Sequence, residues 1–309
     1  MEELINEIMH EKIGDIKINA DLSKYTTYKV GGIARVLVYP KNVDKLISLM
    51  KIINSHDVKY FILGNGSNVL FSDSVYDGII IKLDYFDNIE FSGNTVKVGA
   101  GYSLIRLSLE CAKRGLAGLE FASGIPGTLG GAIFMNAGAY NSNMKEVVKE
   151  VEVLTDDLKV KTLTNEQMNF DYRESFLQHN KGYICLGATL EFDSGERSVL
   201  EEIIKDRKLQ RKRTQPLEYP TAGSVFRNPD NLYSGKLIED LNLKGYQVGG
   251  AKISPKHANF IINEGGAKAS DIKEIIDYVK EKAKDKYNLN LRVEQRLINW
   301  DENNEKEKE

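Results

Sequence analysis

The spacing of hydrophobic positions changes period several times along the chain, and each change marks an element. Leu4, Ile5, Ile8 and Met9 fall at helical spacing behind early acids, so residues 1–18 read as a short amphipathic helix and a connector. Residues 34–40 read as a strand stopped by Pro40, and residues 43–55 as a helix with Leu46, Ile47, Leu49, Met50 and Ile53 on one face. Residues 59–63 form a buried-strand pattern that runs into Gly64-Asn65-Gly66-Ser67-Asn68. A polar glycine turn at a strand's C-terminal end is a common ligand position in α/β structures. From Gly78 the texture becomes mostly β: residues 79–83, 89–91, 95–98, 151–154 and 184–192 read as strands. One helix, residues 103–114, is inserted there and ended by Gly115.

Residues 198–213 read as a helix with Arg207, Lys208, Arg211, Lys212 and Arg213 toward its C-terminal end, which suits the helix dipole. A third unit follows, with a strand around residues 224–226, a short helix at 236–241 and strands within 251–262. A long helix at 270–286, capped by Ser270 and opened by Asp271, precedes a closing strand at 291–300. Residues 301–309 are charge and amide throughout and are expected to be a disordered tail. The pattern as a whole is that of an α+β protein.

The densest punctuation lies in residues 118–140, which place Gly124, Gly127, Gly130 and Gly131 in one short turn before an apolar, strand-like run. Glycine costs a helix about 1 kcal/mol relative to alanine, so a loop is predicted rather than a helix. Glycines so close together let backbone N–H groups approach a ligand, most commonly phosphate. No glycine here opens a Walker A spacing. The dinucleotide fingerprint also fails, because Gly64-x-Gly66 is followed by Val69 in the third place and Gly99-x-Gly101 by Leu104. Each loop alone is compatible with a ligand-free tight turn. Together, rich in Ser, Asn and Thr, they suit a cofactor with two phosphates held between two lobes.

At 309 residues the chain has room for two or three domains, and its composition is ordinary, with 41 % hydrophobic residues. A net charge of −3 argues against general nucleic-acid or membrane-surface binding. No apolar run approaches the roughly 20 residues of a membrane span. The N-terminus lacks the basic region and apolar core of a signal peptide, so a cytoplasmic location is expected. Cys111 and Cys185 sit in apolar surroundings and read as reduced core thiols. His10, His56, His179 and His257 lie far apart without matching ligand spacing, so no metal site is expected.

Several motifs resemble a known family. Residues 28–32 (Tyr-Lys-Val-Gly-Gly), 62–69, 120–132 and 135–138 (Met-Asn-Ala-Gly) resemble the FAD-binding domain shared by vanillyl-alcohol oxidase and p-cresol methylhydroxylase. Residues 171–175 (Asp-Tyr-Arg-Glu-Ser), 222–229, 248–263 and 291–298 narrow the resemblance to the UDP-N-acetylenolpyruvoylglucosamine reductase family, in its shorter subclass. The resemblance implies an FAD-binding domain at 20–198, with lobes at about 20–83 and 84–198, and a substrate-binding domain at 199–300. It also implies non-covalent FAD, NADPH as co-substrate and a UDP-sugar substrate whose enolpyruvyl ether is reduced in peptidoglycan synthesis. No His or Cys lies in the glycine loops to tether the flavin. The implied cofactor positions begin with Tyr28, Val30, Gly31 and Gly32. A second group is Leu63, Gly64, Asn65, Gly66, Ser67, Asn68 and Val69. A third is Ser123, Gly124, Pro126, Gly127, Thr128, Gly130, Gly131, Ala132, Asn136 and Gly138.

Reducing an enol ether conjugated to a carboxylate delivers hydride to the terminal carbon and leaves an enolate that must be protonated. The site needs a proton donor and groups that bind the carboxylate. Ser224 matches the family's proton donor; a strand-edge hydroxyl bonded to backbone is the other reading of that residue. Arg173 is suited to clamp a carboxylate, or else to pair with Asp171 or Glu174. Glu294, if buried and protonated, donates a hydrogen bond to the substrate carboxylate; exposed, it pairs with Arg292 or Arg296. Tyr172, Asn228 and His257 fall where they could line the substrate pocket. Val293 and Gln295 depart from the family pattern, which often has Pro and Val there. The basic run 207–213 is read as a solvated helix face, with attraction of a diphosphate or of the NADPH 2′-phosphate as the alternative.

Overall fold

The computed structural model describes residues 1–300, and the expected tail at 301–309 lies outside them. The chain opens with α1 (Glu2–His10), β1 (Gly14–Asp21), β2 (Ile33–Pro40), α2 (Val43–Ser55), β3 (Tyr60–Ile62), β4 (Val69–Phe71) and β5 (Tyr76–Ile81). Then come β6 (Ile89–Ser92), β7 (Thr95–Gly99), α3 (Leu104–Lys113), β8 (Leu116–Ala117), α4 (Leu129–Phe134), β9 (Gly138–Ala139) and β10 (Ser142–Asn143). Next are β11 (Val148–Leu154), β12 (Val160–Thr164), α5 (Phe176–His179), β13 (Ile184–Glu191), β14 (Asp193–Ser194) and α6 (Arg197–Thr214). The described residues close with α7 (Ser234–Asp240), β15 (Gln247–Val248), β16 (Ala251–Ile253), β17 (Ile261–Asn263), α8 (Ala269–Tyr287) and β18 (Arg296–Ile298). The α+β class holds.

Several local expectations need correction. The connector expected after α1 contains strand β1, which is largely exposed and has too few inward apolar residues to show a period. The expected apolar strand after the second glycine loop is instead the end of α4, so glycine density did not exclude a helix there. Residues 224–226 make isolated bridges, Ser224 to Phe260 and Phe226 to Val293, rather than a strand. The closing strand shortens to β18. Ser270 does not cap α8: the cap is Lys268, whose N–H donates to Asp271 at 2.9 Å. Asp73 accepts from the N–H groups of Ala269 and Ser270 at 2.8 and 2.9 Å, an acidic cap from a distant part of the chain.

The residues divide into two compact units. The first comprises Met1–Ile18, Val36–Asn65 and Gly78–Gln210. Its antiparallel sheet runs β12-β11-β13-β7-β6, and β3 lies parallel to β5 with Phe61 opposite Ile80. The amphipathic helices α2 and α3 start where their caps allow: Asn42 accepts from Lys45 N–H and Ser103 from Arg106 N–H. Both bury leucines in one continuous apolar core that also takes Leu4 and Ile8 of α1. Cys111 and Cys185 are buried in it, and burial pushes both thiols up to about 12, so neither is a nucleophile at neutral pH.

The second unit comprises Asn19–Arg35, Gly66–Asp77 and the described residues from Arg211 onward. Its sheet β15-β16-β17 is antiparallel, while β18 and β4 pair in parallel with Arg296 opposite Val69. α8 buries Ile272, Ile275, Ile276 and Val279 in a core shared with Tyr28, Val30, Leu70 and Phe226. Among the described residues no helix is long and apolar enough to cross a membrane.

Candidate functional site

The two glycine loops meet within the first unit. A Cβ on Gly64 would lie 2.6 Å from Thr128 Oγ1, so a side chain at 64 would push the loops apart. Asn65 Nδ2 donates to the Pro126 carbonyl at 3.3 Å. Lys82, a residue the sequence reading passed over, donates from Nζ to the Gly64 carbonyl at 2.8 Å. Its signal was available: a lysine following three isoleucines at 79–81 in a buried strand.

The second loop uses its own N–H groups internally. Gly127 donates to Ile125 O, Leu129 to Tyr102 O, and Gly130 to Ala100 O. Thr128 caps α4, accepting from Gly131 N–H at 3.3 Å. Gly130 is glycine because a Cβ would stand 3.0 Å from Ala100 Cβ; the helix packs directly on the chain leaving β7. Ser123 is turned onto its own segment, donating to Glu120 O.

The first loop is different. Among the described residues, none of the backbone N–H groups from Gly64 to Asn68 donates to a backbone carbonyl. A consecutive row of such donors is the chemistry that binds phosphate oxygens, so these residues fit a dinucleotide cofactor. In the second unit Gly66 has φ +64°, and a Cβ there would sit 2.2 Å from the Tyr25 carbonyl oxygen. Thr27 N–H donates to Gly66 O at 3.1 Å and pins the loop from that side. Tyr28 is wholly buried, its hydroxyl donating to Gln295 Oε1 at 3.1 Å, so its side chain supports the core beneath the motif. Burial drives that hydroxyl well above the usual phenol range.

Ser224 and Glu294 lie on adjacent segments of the second unit. Phe226 bridges Val293, Glu294 N–H donates to Val225 O at 2.8 Å, and Arg227 N–H donates to Arg292 O at 2.9 Å. Asn259 locks the segment after Ser224: its amide accepts from Phe226 N–H at 2.9 Å and donates to Phe226 O at 2.8 Å. Asn68 Nδ2 reaches the Glu294 carbonyl at 3.3 Å, which ties the first loop to the glutamate. Gln295, the departure noted in the sequence, is buried and donates to the carbonyls of Ala222 and Gly223 at 3.2 and 3.3 Å. It therefore fixes the turn just before Ser224, a role without a local signal, since Gln295 stands between Glu294 and Arg296 in the sequence.

Arg173 belongs to the first unit. It stands third in a tight turn closed by mutual Asp171 and Glu174 backbone hydrogen bonds, with φ +59°. That conformation favours glycine, so an arginine there carries strain, which commonly accompanies function. Its Nη2 donates to the Gly138 carbonyl at 2.9 Å. Asn136 is buried and occupied, donating to Asp171 O at 2.8 Å and accepting from Lys145 N–H at 3.0 Å. The residue thus bolts the Arg173 turn to the end of the second loop.

Of the remaining candidates, Tyr172 is exposed with the Arg173 guanidinium 5.1 Å over its ring. Asn228 accepts from Ser234 N–H at 3.1 Å at the start of α7. His257 packs on Phe260, and its Nδ1 accepts from Asn259 N–H at 3.2 Å. Burial lowers its pKa, which favours the neutral imidazole. In the basic run, Arg207 lies over the Tyr140 ring at 4.9 Å.

Known proteins resemble this chain along most of its length. Residues 34–164 match the family model described as FAD binding domain, and residues 215–298 the one described as UDP-N-acetylenolpyruvoylglucosamine reductase, C-terminal domain. UDP-N-acetylenolpyruvoylglucosamine reductase of Anoxybacillus flavithermus is 46% identical over 96% of this chain and 99% of its own. That of Bacillus subtilis is 44% identical with the same coverage. The crystal structure of the Thermus caldophilus reductase superposes with a TM-score of 0.79 at 33% identity, covering 92% of this chain and 98% of that one.

Proposed function

Because the chain belongs to the UDP-N-acetylenolpyruvoylglucosamine reductase family, we propose that it uses NADPH to reduce the enolpyruvyl ether of UDP-N-acetylglucosamine-enolpyruvate to UDP-N-acetylmuramate for peptidoglycan. Residues 20–198 hold FAD and residues 199–300 take the UDP-sugar. Bound there, FAD would supply the hydride chemistry between NADPH and the substrate. The N–H groups of Gly64 to Asn68 would bind its phosphates, with the second loop packed behind Gly64.

Three side chains manage the charge that develops on the substrate. Arg173 binds the carboxylate side of the enolate, where negative charge grows as hydride reaches the terminal carbon. Glu294 shares in stabilising that enolate. The Ser224 hydroxyl gives its proton to the carbon beside the carboxylate; that O–H bond breaks as the new C–H bond forms, and the alkoxide recovers a proton from water. The observation that supports this reading is the backbone pairing of the segments that carry Ser224 and Glu294, a hydroxyl and a carboxyl on neighbouring chain in one unit.

The cofactor part is tested by the visible spectrum of the purified protein. FAD released near one per chain, bleached by NADPH under anaerobic conditions, supports it; turnover of simple alcohols with oxygen would instead indicate an oxidase of the same fold. Arg173→Gln is expected to slow reoxidation of the reduced enzyme by the UDP-sugar by roughly tenfold to a hundredfold, as for loss of a charged hydrogen bond. Reduction by NADPH should stay near the parental rate in stopped-flow measurements.

A further inference from the structure

Lys82 follows the three isoleucines at 79–81 and is 6% exposed. A charged group so buried needs compensation, and Lys82 finds it in the Gly64 carbonyl at 2.8 Å and in Asp84 Oδ1 at 3.2 Å. Its backbone is fixed on both sides: Lys82 N–H donates to Val38 O at 3.0 Å, and Leu63 N–H to Ile81 O at 2.9 Å. The Asp84 side chain is 51% exposed and would remain solvated without a partner, so the lysine is not there to rescue it.

The consequence lies in the peptide between Gly64 and Asn65. Among the described residues there are no cis peptide bonds, and a trans peptide points its carbonyl and its N–H in opposite directions. With the Gly64 carbonyl held on Lys82, the Asn65 N–H faces away from the lysine. Asn65 cannot easily swivel back, because its amide is tied to Pro126 O and Thr128 closes on the Gly64 face. The ammonium also polarises the peptide, which strengthens its N–H as a donor to an anion.

We infer that Lys82 is a positioning residue for the cofactor: it aims the Asn65 N–H at a phosphate oxygen of the bound dinucleotide and backs that peptide with a buried positive charge. This rests on the FAD reading above.

The test compares FAD and riboflavin affinities, by fluorescence titration of flavin-free protein, for the parent and for Lys82→Met and Lys82→Arg. Lys82→Met is expected to raise the FAD Kd by about tenfold or more, with Lys82→Arg recovering most of the loss. Riboflavin, which lacks the diphosphate, should bind the parent and Lys82→Met alike. FAD binding by Lys82→Met within twofold of the parent would overturn the inference, as would an equal loss of FAD and riboflavin. If Lys82→Met does not fold, Lys82→Gln is read the same way. A parent that takes up no FAD would sink the cofactor reading itself, a separate outcome from a variant that binds it normally.

Discussion

Ser224→Ala is expected to leave reduction of the flavin by NADPH within a few-fold of the parental rate, while reoxidation by the enolpyruvyl UDP-sugar slows by about 10²- to 10⁴-fold. That range is what a positioned general acid contributes. The split would arise because, in the proposed reaction, the hydroxyl acts on the substrate carbon and has no part in hydride delivery from NADPH. The variant should keep its fold, since the alanine loses one oxygen while the surrounding segment stays fastened by Asn259 and Gln295. Rapid-mixing measurement of the two half-reactions, each monitored by flavin absorbance, separates the outcomes. Equal loss of both would indicate that Ser224 is structural, and loss of neither that another group supplies the proton.

Gly66→Ala should abolish flavin retention. The added methyl would face the Tyr25 carbonyl oxygen at 2.2 Å and Thr26 Cα at 2.7 Å, both backbone atoms, at a residue with φ +64°. Strained backbone of this kind costs about 1–3 kcal/mol even before the clash is counted. Relief requires the loop to move, and its row of N–H donors moves with it. The expected result is a colourless protein with a Tm lowered by several degrees. Gly93→Ala is the control: Gly93 also has positive φ, at +56°, but a Cβ there meets nothing within 4 Å. That variant should lose some stability and keep its flavin. If Gly66→Ala purified with a full complement of FAD, the first loop would not be the phosphate-binding element.

What the sequence made legible follows from how local each determinant is. α2 and α3 were readable because amphipathic spacing and a capping side chain, Asn42 or Ser103, lie in the same short window. α4 was hidden because Gly130 answers to Ala100, 3.0 Å from where its Cβ would be, and no local rule registers that contact. The start of α8 was misread for the same reason, since its first N–H groups are met by Asp73. Arg173, Ser224 and Glu294 were singled out by motif resemblance. Their supports, Asn136, Asn259 and Gln295, act through backbone carbonyls and N–H groups across long stretches of chain. An amide between apolar residues is the faint trace that Asn136 and Asn259 leave, while Gln295, between Glu294 and Arg296, leaves none. Lys82 left a similar trace after the isoleucines of β5.

The proposed function requires one flavin site that joins NADPH to an enolpyruvyl sugar. It is tested most directly by reducing the holoenzyme anaerobically with one equivalent of NADPH and then adding UDP-N-acetylglucosamine-enolpyruvate. Full return of the oxidised flavin spectrum is expected, with one UDP-N-acetylmuramate formed per flavin. A flavin that stays reduced until oxygen is admitted, with the UDP-sugar unchanged, would contradict it.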